Sequence, residues 1–294
     1  METSSSNYYG ERLKMDIKIN IPFFSIITVC YNAEHEIEKT MNSLLMQENE
    51  DYECIIVDGK SSDKTVEIIK SYKKKFEMKK ILVKIISEND QGIFDAMNKG
   101  INLATGKWIN FMNAGDTFHD NTVLKKIKPF LELTKSDVVY GNCWRYNEFY
   151  SYLKIPGKIE LLKKGMEIPH QASFIKAKVQ KSNLFDLKYK IAGDHDLFLK
   201  LYIKKYVFQY YPETICDFSL DGVSNTCLLP AYRETFSVLI DNHILEKKKI
   251  STGIQYIIGY ILRMCENILP QKVKWKIKNY IKIVKEFLRK RDNR

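Results

Sequence analysis

Apolar positions in the first 120 residues of this chain follow two periods that alternate. Residues 23–29 (Phe-Phe-Ser-Ile-Ile-Thr-Val) form a β-rich apolar run closed by Cys30-Tyr31-Asn32, which predicts a buried strand. Ile37, Met41, Leu44 and Leu45 then recur at helical spacing within 34–46. Residues 52–57 make a second strand, ending at Asp58-Gly59. Ser61-Ser62-Asp63 precede an apolar-periodic helix over 65–72 with a capping residue at its start. A strand over 81–87, a helix over 93–103 and a strand over 108–112 complete the series.

Strands alternating with helices at this spacing imply a parallel sheet with helices on both faces. Three strands end in polar stretches: Thr28 to Asn32, Asp58, and Asn113-Ala-Gly-Asp116. In such a sheet those ends lie side by side and form a crevice for a ligand. Asp116, thrown off the end of an apolar strand, is a candidate to hold a divalent metal, and the metal would hold a diphosphate. The same four residues also read as a plain polar turn.

Composition fits one large α/β domain with an appendage, or two domains: 294 residues, 45% hydrophobic and 28% charged. Six scattered cysteines with no Cys-x-x-Cys pair read as reduced thiols in a reducing compartment. Residues 1–20 carry no apolar core of signal-peptide type, and no run of 18 uncharged apolar residues occurs, so neither export nor a membrane-spanning helix is expected. The net charge of +11 changes this picture only at one end. Residues 271–294 carry ten Lys or Arg against Glu286 and Asp292, a net of +8, which leaves +3 for the rest. Val273, Ile277, Ile281, Val284 and Leu288 place one apolar stripe along this basic stretch, and Trp275 adds an aromatic. Such a helix reads as an anchor on an anionic membrane surface. A helix packed on its own domain and a phosphate-backbone contact to nucleic acid are the other readings.

No Gly-x-Gly-x-x-Gly follows the first strand, which argues against a dinucleotide fold. Gly100 and Gly106-Lys107 approach a P-loop, but the spacing is one residue too long and Trp108 stands in place of Ser or Thr. A carboxylate after the second strand can accept hydrogen bonds from a base or ribose. One after the fourth can bind Mn²⁺ or Mg²⁺, which favour few protein oxygens plus phosphates and waters. Together they point to a nucleoside diphosphate held without a glycine loop.

At this point a family resemblance emerges. Phe24-Ser-Ile-Ile-Thr-Val-Cys-Tyr-Asn32 and Ile56-Val-Asp-Gly-Lys-Ser-Ser-Asp-Lys-Thr65 resemble the opening of the family 2 glycosyltransferases. Ser87-Glu-Asn-Asp-Gln-Gly-Ile-Phe-Asp-Ala-Met-Asn-Lys-Gly100 and Asn113-Ala-Gly-Asp116 resemble its bacterial capsule and exopolysaccharide (colanic-acid-type) branch, and Ile168-Pro-His-Gln171 and Ile191-Ala-Gly-Asp-His-Asp-Leu197 continue the match. The resemblance spans roughly residues 22–225. It implies a GT-A fold, an α/β nucleotide-diphospho-sugar transferase fold with a mostly parallel sheet flanked by helices, followed by a helical, basic amphipathic appendage. The implied organisation is a tail over 1–21, the transferase domain over 22–228 and a membrane-associating region over 229–294.

The resemblance also implies roles. Thr28, Tyr31 and Asn32 would border the nucleotide base, Asp58 would bind base or ribose, and Asp90 and Asn98 would line the donor pocket. Asp116 matches the last carboxylate of the metal motif written Asp-x-Asp. Asn113, also placed at the donor, and Gly115 stand where many relatives have aspartates, and Gly59 where many carry a second one. Asp194 matches the catalytic base of an inverting transfer, which must take the acceptor hydroxyl proton as the new bond forms. Its local alternative is a helix N-cap, and Asp196 is the natural mistaken choice. His170 and Gln171 follow Pro169 and could touch donor phosphate or acceptor hydroxyls. His195 reads as a neighbour of the base. Asp221-Gly-Val-Ser224 reads as a loop or a lid, and Trp144 and Tyr146 as core or sugar-stacking residues.

The expected enzyme moves a sugar, by family habit from a UDP-sugar, to a hydroxyl of a lipid-linked or polysaccharide acceptor. It would work in surface polysaccharide biosynthesis, on the cytoplasmic face of the membrane, without nucleic acid. The competing expectations are a sugar-phosphate nucleotidyltransferase and a nucleic-acid-binding protein using the basic tail.

Overall fold

The computed structural model of the chain describes residues 21–220 and 228–245. Strands β1 (Phe24–Cys30), β2 (Tyr52–Asp58) and β4 (Trp108–Phe111) are buried along their whole length, as continuous apolar runs require. They alternate with helices α1 (Ile37–Leu45), α2 (Thr65–Met78) and α3 (Ile93–Leu103), with β3 (Leu82–Ser87) as the half-exposed edge. The pleat of β1 divides the core. Phe24 and Ile26 face α1 and α2 through Ile37, Met41, Ile69 and Phe76. Ile27 and Val29 face α3 through Phe94, Met97 and Ile101. Fully burying one such side chain contributes about 1.5–3 kcal/mol, so both faces of this strand stabilise the fold.

The rest of the chain supplies β5 (Thr117–Phe118), α4 (Val123–Leu133), β6 (Val138–Tyr146), β7 (Ser151–Lys154), β8 (Ser173–Lys176), α5 (Ala177–Lys181), α6 (Gly193–Ile203), β9 (Phe208–Ser219) and α7 (Leu228–Asp241). Among the described residues the sheet has nine strands in the order β3-β2-β1-β4-β8-β6-β9-β5, with β7 paired to β6. β3, β2, β1 and β4 are mutually parallel, as the β-α alternation predicts. At β8 the direction changes. β4–β8, β8–β6, β6–β7 and β5–β9 are antiparallel and only β6–β9 is parallel. The sheet is therefore mixed, because β6 runs straight into a hairpin with β7 instead of crossing over through a helix.

The expected ligand crevice follows from this order. β2, β1 and β4 are adjacent, so Asp58, Tyr31-Asn32 and Asn113–Asp116 emerge from neighbouring strand ends. The glycines that approach a P-loop serve packing instead. A Cβ on Gly106 would lie 2.7 Å from the main chain of β1, and one on Gly100 2.5 Å from Ile27.

Helix α7 begins at the proposed boundary near residue 228, yet it packs into the transferase core. Val238 and Leu239 are fully buried in the cluster shared with α3 and α6. The Tyr189 hydroxyl donates to Asp241 at 2.8 Å, and Lys188 pairs with the same carboxylate at 3.2 Å. The basic amphipathic stretch, the 221–224 turn, Cys227 and Cys265 lie outside the described residues. Cys30, Cys54, Cys143 and Cys216 are buried free thiols. Among the described residues no helix is long and apolar enough to cross a membrane.

Candidate active site

The turn after β4 is held from α1. Thr40 lies on the buried face of that helix between Ile37 and Leu44. Its hydroxyl donates to the carbonyl of Asp116 at 2.8 Å and accepts the N–H of Gly115 at 2.9 Å. Gly115 has φ +91°, a conformation that favours glycine, so the departure from an aspartate at this position has a backbone reason. The turn delivers Asp116 to a buried position. Burial pushes its carboxyl up to about 7, against the opposing pull of a hydrogen bond from Gln171 and the charge of Lys39. Asn113, three residues earlier, carries a buried Oδ1 without a hydrogen-bond partner among the described residues.

Gln171 sits on a single 3-10 turn, His170–Ala172, between Pro169 and β8. Asn110 of β4 fixes that turn by donating its amide to the carbonyls of Gln171 and Ser173, at 2.8 and 2.9 Å. From there Gln171 donates to Asp116 Oδ2 at 3.2 Å. His170 Nδ1 stands 3.8 Å from Asp194 Oδ2, too far for a hydrogen bond. Burial lowers the His170 pKa to about 4, so the ring is neutral at pH 7, and its Nε2 has no partner. One turn thus brings together the carboxylates from the two halves of the chain.

Asp194 lies in the first turn of α6 but does not cap it. The N-cap is Ala192, and Asp194 Oδ1 accepts the adjacent His195 N–H, at 2.7 Å. Burial raises its pKa to about 6, while Arg145 pulls down and Glu234 pushes up. Asp196 is committed elsewhere, paired with Lys200 at 2.6 Å and with the Asn242 amide at 2.8 Å. His195 is buried, with Nε2 2.7 Å from the Leu162 carbonyl.

The donor-side residues divide into two groups. Tyr31 is 65% exposed, and Asn32, at φ 46°, holds the next loop by accepting the N–H of Ser62 at 2.9 Å. Asp90 accepts the Gly92 N–H at 2.8 Å. A Cβ on Gly59 would lie 2.6 Å from Asp90 Oδ2 and 3.2 Å from the Tyr31 ring, so Asp90 fills the space a side chain at 59 would need. The other group is enclosed. Asp58 is fully buried, accepting Ser87 Oγ at 2.6 Å and the Ser61 N–H at 3.0 Å, and the Ser61 hydroxyl as well. Thr28 is buried with an unpartnered hydroxyl. Asn98 exchanges both amide groups with the main chain of Phe185, each at 2.9 Å, which ties α3 to the second half.

Two cations beside the carboxylates were not singled out from sequence. Lys39 on α1 bonds the Tyr146 hydroxyl and lies over its ring at 4.5 Å. Arg145 on β6 lies over Phe218 at 5.7 Å with a buried Nε that has no partner. Trp144 and Tyr146 are half-buried.

This geometry meets a matching family. Residues 25–195, more than half of the chain, match glycosyl transferase family 2. The chain belongs to that family. A PGL/p-HBAD biosynthesis glycosyltransferase of Mycobacterium bovis is 27% identical over 248 residues, covering 82% of this chain and 91% of the relative. Among solved structures, S. aureus TarS 1–349 in complex with UDP aligns with a TM-score of 0.60 at 18% identity, over 83% of this chain and 72% of that one. Mannosyltransferase PcManGT of Pyrobaculum calidifontis, in complex with GDP-Man and Mn²⁺, aligns at 0.59 and 14% identity, over 89% and 80%. These likenesses establish the GT-A fold for this glycosyltransferase.

Proposed function

We propose that this glycosyltransferase is inverting and metal-dependent, and moves a sugar from a UDP-sugar to a hydroxyl of a lipid-linked or polysaccharide acceptor. The observation that carries this reading is the pair Asp116 and Asp194, joined through His170-Gln171. The UDP and Mn²⁺ bound to the two structural neighbours support the donor and the metal. The capsule-like motifs and the basic tail support a surface-polysaccharide acceptor at the inner face of the membrane.

Asp194 is the base. With a pKa near 6 it is ionised at pH 7, yet basic enough to take a hydroxyl proton as the sugar–oxygen bond forms. Neutral His170 borders it without adding charge. Mn²⁺ or Mg²⁺ suits the first half of the site: Asp116 is a buried carboxylate without a cation at contact distance among the described residues, and the Asn113 Oδ1, unpartnered among them, offers a second hard oxygen. Asp116 would hold the ion, which when bound neutralises charge on the departing diphosphate. Among the described residues no three His, Cys, Asp or Glu side chains cluster as a closed metal site, so an ion held by Asp116 would draw its other ligands from the donor phosphates and water. Arg145 and Lys39 add positive charge on the acceptor and donor sides.

The test is a thermal-shift panel of UDP-, GDP-, CMP- and dTDP-sugars with and without Mn²⁺, on the native chain and on Asp116→Ala. Ligand at about 100-fold over its Kd stabilises the native state by about 2.7 kcal/mol. A Mn²⁺-dependent shift with one UDP-sugar, lost in Asp116→Ala, is expected. Absence of any nucleotide-dependent shift would remove the reading.

A further inference from the structure

The segment ahead of the base is held by a residue beyond the family match. Glu234, on α7, accepts the N–H of Lys190, Ile191 and Ala192 on its Oε2 at 2.9, 2.7 and 2.9 Å, and that of Lys190 on Oε1 at 2.9 Å. Three consecutive main-chain donors converge on one charged acceptor, the stronger class of hydrogen bond. They immediately precede α6, whose N-cap, Ala192, offers no capping side chain. Glu234 therefore satisfies the N–H of the N-cap residue Ala192 and of the two residues ahead of it, from another helix.

Three more contacts make this a clamp. Asn242, just past α7, donates to Asp196 Oδ1 at 2.8 Å, and Asp241 accepts the Tyr189 hydroxyl at 2.8 Å. On the opposite side Gly193 lies against α3, where a Cβ would fall 2.7 Å from the Phe94 ring. Residues 189–196 are thus bounded by α3 on one side and α7 on the other, with Asp194 between.

We infer that Glu234 is a positioning residue for the transfer: through the main chain of 190–192 it sets where the Asp194 carboxylate stands, which makes α7 part of the catalytic apparatus. This rests on Asp194 being the base. The groups that face Asp194 are His170 from the 3-10 turn, Arg145 from β6, Glu234 from α7 and the His195 N–H from its own helix. Glu234 also contributes negative charge, which favours the protonated base and so raises the acid limb of activity.

Two variants of the full chain separate positioning from mere docking. Glu234→Ala removes the acceptor, and Glu234→Gln keeps an acceptor oxygen but removes the charge. With the UDP-sugar found by the panel, Glu234→Ala should lower kcat about 10- to 100-fold with the donor KM little changed, the scale of a misplaced catalytic group. Glu234→Gln should recover much of that rate and move the acid limb to lower pH, a change that simple loss of packing does not produce. Hydrogen exchange read at the amides of 190–192 should accelerate in Glu234→Ala while β1 and β2 stay protected. Asp194→Asn is measured alongside. If it turns over like the native enzyme, the base reading fails and this inference with it. If it is inactive while both Glu234 variants match the native kcat, pH limb and exchange, the positioning inference alone is overturned.

Discussion

At the scale of single residues, the site sets two carboxylates in different surroundings. Asp194 touches no formal positive charge at hydrogen-bond distance among the described residues, and burial dominates and raises its pKa to about 6. Only the ionised form can accept the acceptor proton. With Mn²⁺ saturating, so that Asp116 is held ionised, kcat should therefore fall as pH drops through about 6, as a pH–rate profile would record. Asp194→Asn should remove about 10²–10⁴-fold of kcat while leaving Mn²⁺-dependent UDP binding intact, measured by thermal shift. An unchanged rate would move the base role elsewhere. These two aspartates could be proposed from the sequence because each stands in a motif with a fixed order of neighbours. Arg145 and Glu234 could not, since neither has a local pattern, and their roles exist only where β6 and α7 meet α6. Thr40 left a trace: it is the one polar residue on the buried stripe of α1, among Ile37, Met41 and Leu44.

Among the elements, the buried ion pair at the other end of the sheet sets the frame. Glu53 of β2 accepts Ser25 Oγ of β1 at 2.6 Å, Lys84 Nζ of β3 at 2.7 Å and the Gly106 N–H before β4 at 3.1 Å. Burial works against its charge, but Lys84, Ser25 and Thr105 hold the carboxyl below the ordinary glutamate range. A depressed carboxylate stabilises the fold above its unfolded pKa and loses that contribution as pH falls through the folded value. Glu53→Ala should cost about 3–5 kcal/mol in denaturant melts at pH 7, because Lys84 is left without its partner. The loss should shrink toward acid pH. A cost under about 1 kcal/mol would mean that the pair is as weak as a surface bridge. The four parallel strands were legible because their β-α alternation is local. The antiparallel half was not, since pairing of β8 with β4 joins segments more than 60 residues apart and no periodicity encodes such a partner.

For the molecule as a whole, α7 belongs to the packed core of the described residues. Val238 and Leu239 are buried with α3 and α6, so truncation at residue 228 should destabilise the domain by several kcal/mol, on the order of two large-to-small core changes at about 2–5 kcal/mol each. Truncation at residue 249 spares them. That shorter deletion should abolish sedimentation with anionic liposomes while leaving the melting temperature and donor hydrolysis unchanged. Retained liposome binding would place the membrane contact within residues 1–249. The apolar stripe over 273–288 is what sequence offers for this question, and the two deletions separate anchor from core directly.

The position of Glu234 in the chain also sets an order in time. Asp58, Asp90 and Asp116 stand at or after the ends of β2, β3 and β4, which pair with one another through β1 within the first 116 residues before β8 joins β4, and a nascent chain can assemble them early. The loop before Asp194 stays without its clamp until α7 has left the ribosome. On the roles proposed above, a chain interrupted before that point would carry the nucleotide half of the site without a seated base, and would transfer a sugar more slowly than the full chain.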